Sequence, residues 1–117
     1  MEKVTTSDDL VHMWLDKKLE QEDIQTKLLE LAKDYKHIFG INLYISDYIQ
    51  VARCIHHIYQ HYHKWSHPGS FLRALASDSF SQIVDHADEH NLRAIYLYRL
   101  YLKNCAPGDW RRKLRGE

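Results

Sequence analysis

Apolar residues recur at three- and four-residue intervals through most of this chain, and a few turn-forming residues separate the stretches that keep this period. That pattern predicts amphipathic helices. Thr6-Ser7-Asp8-Asp9 supplies a cap and two acidic groups ahead of Leu10, Val11, Trp14 and Leu15, so a short helix is expected from about Ser7 to Lys17. After Lys18-Leu19-Glu20, a second helix carries Ile24, Leu28, Leu31, Ala32, Tyr35, Ile38 and Phe39 on one face, with Gly40 as its stop. Ile41 to Ile45 alternates only imperfectly and has no strand partner elsewhere, so it reads as coil.

Ser46-Asp47 is the expected cap of a long helix in which Tyr48, Ala52, Ile55, Tyr59 and Tyr62 repeat, flanked by Val51, Ile58 and Trp65. Beyond Pro68-Gly69, short helices are expected from Ser70 through Leu75, from Asp78 or Ser79 through Ala87, and from Asp88 through Tyr101. Pro107-Gly108 ends the last of these. The run Ile95 to Leu102 is apolar or aromatic nearly all round, which demands either full burial or cover by a second subunit. In a small chain this favours a homo-oligomer. The fold class expected is all-α, a compact oligomeric bundle of about five to six helices.

With 117 residues, 44% of them hydrophobic and 27% charged, the chain suits one globular domain and holds no apolar stretch of the roughly 18 residues a membrane span requires. The domain is expected over residues 1–110, with 111–117 as a short basic tail. No membrane partner is expected, and the N-terminus lacks the charged-then-apolar pattern of a signal peptide, so the expected location is the cytoplasm. Cys54 and Cys105, the only cysteines, form no Cys-x-x-Cys spacing and read as reduced thiols. Basic and acidic residues balance at 16 each, so any contact with a polyanion would be local. The imbalance is regional: acidic groups dominate residues 1–40 and basic groups the last seven.

Histidine is over-represented, with nine copies, five of them at His56, His57, His61, His63 and His67. One-turn spacings such as His57 and His61 suit a metal, but the segment contains no His-Glu-x-x-His pattern; no metal and no cofactor is expected. Asp85, His86, Asp88 and His90 are dense in titratable groups, yet a helix end followed by a helix cap accounts for them. With neither a nucleophile elbow nor a phosphate-cradling glycine loop, the chain does not read as an enzyme.

His67-Pro68-Gly69-Ser70-Phe71-Leu72-Arg73 carries more. A Pro-Gly turn leads to a helix start whose first amides lack partners, and Arg73 falls on the first turn, so a phosphate or carboxylate is a fitting occupant. The alternative is a plain capped turn bearing an arginine. Tyr62 and Trp65 precede it and suit stacking on a base, although a core asks for the same spacing. The candidate ligand-binding set is therefore Tyr62, Trp65, His67, Gly69, Ser70 and Arg73. Trp110, Arg111, Arg112, Lys113 and Arg115 form a second set, a flexible basic end suited to nucleic acid or an acidic protein surface.

Between Tyr48 and Trp110 the order Tyr48-Ile49, Pro68-Gly69-Ser70-Phe71-Leu72-x-Ala74-Leu75, Ala87-Asp88-x-x-Asn91, Pro107 and Trp110 resembles a family of small phage and mobile-element proteins. The chain departs from that pattern at Ser77-Asp78, where Asn-Asp is usual, and at Arg111, where glycine commonly follows the tryptophan. The resemblance implies a phage-like origin and supplies no activity of its own. By analogy with small phage accessory proteins it implies antagonism of bacterial defence by binding, most simply the sequestration of a nucleotide signal. An inhibitor or adaptor that binds a host defence protein, and a small nucleic-acid-binding regulator, are the alternatives.

Overall fold

The computed structural model describes residues 6–34, 44–65 and 95–114, and among them every regular element is a helix. Helix α1 spans Ser7–Leu15, α2 Gln21–Asp34, α3 Ile45–Tyr62, α4 Ile95–Cys105 and α5 Trp110–Leu114. The short helices expected between Ser70 and Asp88 lie outside the described residues. None of the described helices is long and apolar enough to cross a membrane.

Three helices start by one device. Asp9, Asp23 and Asp47 each sit three residues beyond the cap position, and each carboxylate accepts the backbone N–H of that cap residue: Thr6 at 3.0 Å, Glu20 at 3.0 Å and Tyr44 at 2.8 Å. Thr6 completes the reciprocal box, because its hydroxyl accepts the Asp9 N–H at 3.1 Å. The start of α3 therefore differs from the expected cap at Ser46-Asp47. The cap residue is Tyr44, in extended backbone, and Asp47 reaches back to it from inside the first turn. Asp47 is completely buried there, which a carboxylate tolerates because it accepts the Tyr44 backbone N–H.

A single apolar cluster joins all five helices. Helix α3 contributes Val51, Ala52, Ile55, Ile58 and Tyr59; α2 adds Ile24, Leu28 and Leu31; α1 adds Leu10 and Trp14. Helix α2 packs along both α3 and α4, α1 rests on α4, and α5 rests on α3. In α4 the residues Leu97, Tyr98, Tyr101, Leu102 and Cys105 are buried, while Arg99, Lys103 and Asn104 face outward. The chain itself thus covers these positions of the apolar run, and a second subunit is not needed to bury them.

The C-terminal segment expected to be flexible is helical through Leu114. Trp110 and Leu114, one turn apart on α5, are both buried, so the expected domain limit at 110/111 falls inside a docked helix.

Candidate functional site

Helices α1 and α3 end alike. In α1 the Lys17 N–H donates to the Trp14 carbonyl at 3.3 Å and the Lys18 N–H to the Met13 carbonyl at 2.9 Å. In α3 the Lys64 N–H donates to His61 at 2.8 Å and the Trp65 N–H to Gln60 at 2.8 Å. Both are Schellman closures, and their left-handed residues are Lys17 (φ 63°) and Lys64 (φ 65°), where glycine is the usual choice.

Histidines tie these two endings together. The His63 ring contacts the Trp14 carbonyl through Nε2 at 2.7 Å, and His56 Nε2 contacts the Leu19 carbonyl at 3.3 Å. A carbonyl only accepts, so in both rings Nε2 carries the proton and donates. The connection from α1 to α2 is thereby held against α3.

Around His63 the rings converge. Its centroid lies 5.1 Å from Tyr59, 5.0 Å from Tyr62 and 5.1 Å from Trp65, with the Trp65 plane tilted by only 32°. Trp14 lies beneath, edge-on to Tyr59 and Tyr62 at 5.6 and 5.8 Å. Trp14 is wholly buried with its indole N–H unpartnered, whereas Trp65 is 54% exposed although it also meets Tyr59 at 5.6 Å. Burial raises the Tyr59 and Tyr62 phenols above their ordinary pKa; a Leu19 backbone hydrogen bond opposes this at Tyr59. At Tyr62 the nearby Asp109 adds to it, because the hydroxyl donates to Asp109 Oδ1 at 2.9 Å. That bond also fixes the start of α5 beside the end of α3.

Chemically, this corner offers a flat, half-exposed indole braced by the His63 imidazole and the Tyr59 phenol, with the exposed side chains of Lys17, Lys18 and Lys64 on the adjoining turns. A planar ring can stack there without reorganising the protein. A contact between the residue two beyond the cap and the last helical turn is also a usual companion of this closure, so the Trp65–Tyr59 pair serves stability as well.

Of the candidate ligand-binding residues, Tyr62 and Trp65 are brought together in this corner; His67, Gly69, Ser70 and Arg73 lie outside the described residues, as do Asp85, His86, Asp88 and His90. In the second set Trp110 is buried and has the Arg111 guanidinium 5.3 Å from its ring centroid, Arg112 and Lys113 are exposed, and Arg115 lies outside the described residues. His57 is exposed and His61 half-buried, one turn apart, and among the described residues no group of three or more His, Cys, Asp or Glu side chains is placed to hold a metal. The tethering role of His56 and His63 escaped the sequence reading, since their partners lie 37 and 49 residues away. Trp110 and Leu114 carried a readable signal, an i, i+4 apolar pair.

A second polar group is enclosed between α1, α2 and α4. Cys105 is fully buried; burial raises its thiol above the ordinary value, although the Ser7 hydroxyl bonds to it and the Lys27 ammonium lies close by. Lys27 is itself nearly buried and pairs with Glu30 at 3.2 Å. Tyr101 is buried with no partner for its hydroxyl, and its phenol too is raised. A thiol kept protonated and away from solvent is a core group and not a nucleophile.

No family model, curated protein or solved structure matches this chain.

Proposed function

We propose that this chain is a non-enzymatic binding protein that captures a nucleotide, with the base seated on the Trp65 corner. The observation that carries this reading is the half-exposed indole held in place by His63, itself hydrogen-bonded to the Trp14 carbonyl at 2.7 Å. Such a surface is rigid before the ligand arrives, which lowers the entropic cost of binding. Ser70 and Arg73, a few residues further along the chain, suit the phosphate by residue type. The employment of Asp9, Asp23 and Asp47 as helix caps, and of His56 and His63 as tethers, fits a binding role better than acid–base chemistry. With the resemblance to phage and mobile-element proteins, the role becomes antagonism of bacterial defence by sequestering a nucleotide signal.

Calorimetric titration of the full chain against cyclic and linear nucleotides tests this. Saturable heat is expected with at least one of them, and Trp65→Ala should weaken binding about tenfold, the lower range of one base–aromatic stack. Absence of heat with every nucleotide, or a Trp65→Ala variant that binds as well as the parent, would remove the proposal.

A further inference from the structure

Both Schellman closures put a lysine where glycine is the usual residue. Lys17 and Lys64 hold the left-handed conformation at φ 63° and 65°, and their side chains, with that of Lys18, are exposed. Strain of this kind persists where something beyond backbone preference retains the residue. Complementing the helix dipole is a poor reason for it, because that effect fades beyond the last turn, where His12 of α1 and His61 of α3 already stand. Nor do the lysine side chains close the helix ends, since the Met13, Trp14, Gln60 and His61 carbonyls accept backbone amides. Among the described residues, none of the three ammonium groups joins an ion pair, although Asp16 and Glu20 lie exposed on the same connection as Lys17 and Lys18.

The Trp14 carbonyl brings the two turns together. It accepts the Lys17 N–H at 3.3 Å and the His63 Nε2–H at 2.7 Å, and the His63 ring centroid lies 5.1 Å from that of Trp65. Taken end to end, those contacts leave the Lys17 amide no more than about 12 Å from the indole, and a lysine stem carries its ammonium about 6 Å from the backbone. Lys64 sits between His63 and Trp65 in the chain, so cations flank the platform from both turns.

We infer that the Trp65 corner takes a nucleoside polyphosphate, its base on the indole and its phosphate chain between Lys64 on one turn and Lys17 with Lys18 on the other. The inference rests on the reading of the corner as a base platform and adds what the phosphates meet. Lysine binds phosphate as a point charge on a flexible stem, without the fixed fork that arginine brings to a carboxylate. Three such charges exceed what a single phosphate neutralises, and their origin on two separate turns favours an anion extended between them.

The test is calorimetric, with the full chain in magnesium-free buffer and adenosine, its monophosphate, its diphosphate and its triphosphate as probes; stacking on an aromatic tolerates any base, so one base serves. Affinity should rise along that series. Lys17→Gln and Lys64→Gln remove the charge while leaving a long polar side chain, and the thermal melt should be unchanged. Each should weaken the triphosphate about three- to fivefold, the scale of an exposed ion pair, and the double variant about tenfold. Adenosine itself should bind the double variant as it binds the parent, which a merely structural role for the lysines would not produce. Equal affinity for adenosine and its triphosphate, or a double variant that holds the triphosphate as tightly as the parent while Trp65→Ala loses it, would overturn the lysine assignment and leave the nucleotide proposal standing. Heat with cyclic nucleotides alone would do the same. Inorganic tripolyphosphate binding as tightly as the nucleotide, and indifferent to Trp65→Ala, would refute the inference, as would equal competition by polyglutamate, which makes the partner an acidic protein. No heat with any linear or cyclic nucleotide would end both readings.

Discussion

Tyr101 carries its hydroxyl into the core without a hydrogen-bond partner, and that omission has a measurable cost. Desolvating an unpaired hydroxyl costs about 1–3 kcal/mol, while the ring itself packs as a phenylalanine would. Tyr101→Phe should therefore raise unfolding stability by about 1 kcal/mol in urea titrations; a loss of similar size would mean that the hydroxyl makes a hydrogen bond after all. Lys17 and Lys64 present a second residue-scale cost. A non-glycine residue in the left-handed region costs about 1–2 kcal/mol, partly returned through unfolded-state entropy when glycine replaces it. Lys17→Gly and Lys64→Gly should each stabilise the fold by about 0.5–1 kcal/mol in the same assay, and a destabilising result would show that the lysine side chains make contacts that outweigh the backbone strain.

At the scale of elements, the tether between α3 and the α1–α2 connection deserves a direct measurement. His63→Ala removes a 2.7 Å hydrogen bond and edge contacts to Tyr59 and Tyr62, and should cost about 2 kcal/mol. His56→Ala, whose bond is longer at 3.3 Å, should cost less. Equal, negligible losses in both denaturation curves would show that the two rings are bystanders. The helices themselves were legible in the sequence because burial follows a 3.6-residue period: Leu10 and Trp14, Ile24, Leu28 and Leu31, and Val51, Ile55 and Ile58 are all core residues. Less legible were the ends. Ser46-Asp47 suits a cap, yet an aspartate also serves from the third helical position, and pattern alone does not separate the two. Both left-handed endings fell on lysines, so the glycine signal that marks such a stop was missing. The tethers, reaching across dozens of residues, had no local trace at all. In the candidate site, sequence singled out Tyr62 and Trp65 for stacking, but only the fold reveals that His63 contacts both and that Asp109 joins Tyr62 to α5.

For the molecule as a whole, the docking of α5 changes how its basic residues must be probed. Truncation after Asp109 would remove the buried Trp110 and Leu114 together with the charges, so lost nucleic-acid binding could reflect a damaged core; charge reversal at Arg112 and Lys113 separates the two. Alkaline conditions should unfold the protein through its interior. The Cys105 thiol and Tyr101 phenol are both raised in the folded state, so the stability they confer is fully present below their unfolded pKa values, near 8.5 and 10, and is lost as pH climbs beyond them. Each group then contributes a slope of about 1.4 kcal/mol per pH unit. Melting temperature should decline from about pH 9 and more steeply past pH 10, and Cys105→Ala should delay the onset. An onset unchanged by that substitution would place the lability elsewhere.

The paired Schellman closures also bear on solvent. Carbonyls at the last turn of a helix ordinarily look outward and hold water, but Met13, Trp14, Gln60 and His61 each receive an amide from the chain itself. The two turns that frame the exposed indole therefore have little backbone hydration to lose at those four groups. A flat molecule settling on Trp65 would displace mainly loosely held water from apolar surface, the kind of desolvation that favours association.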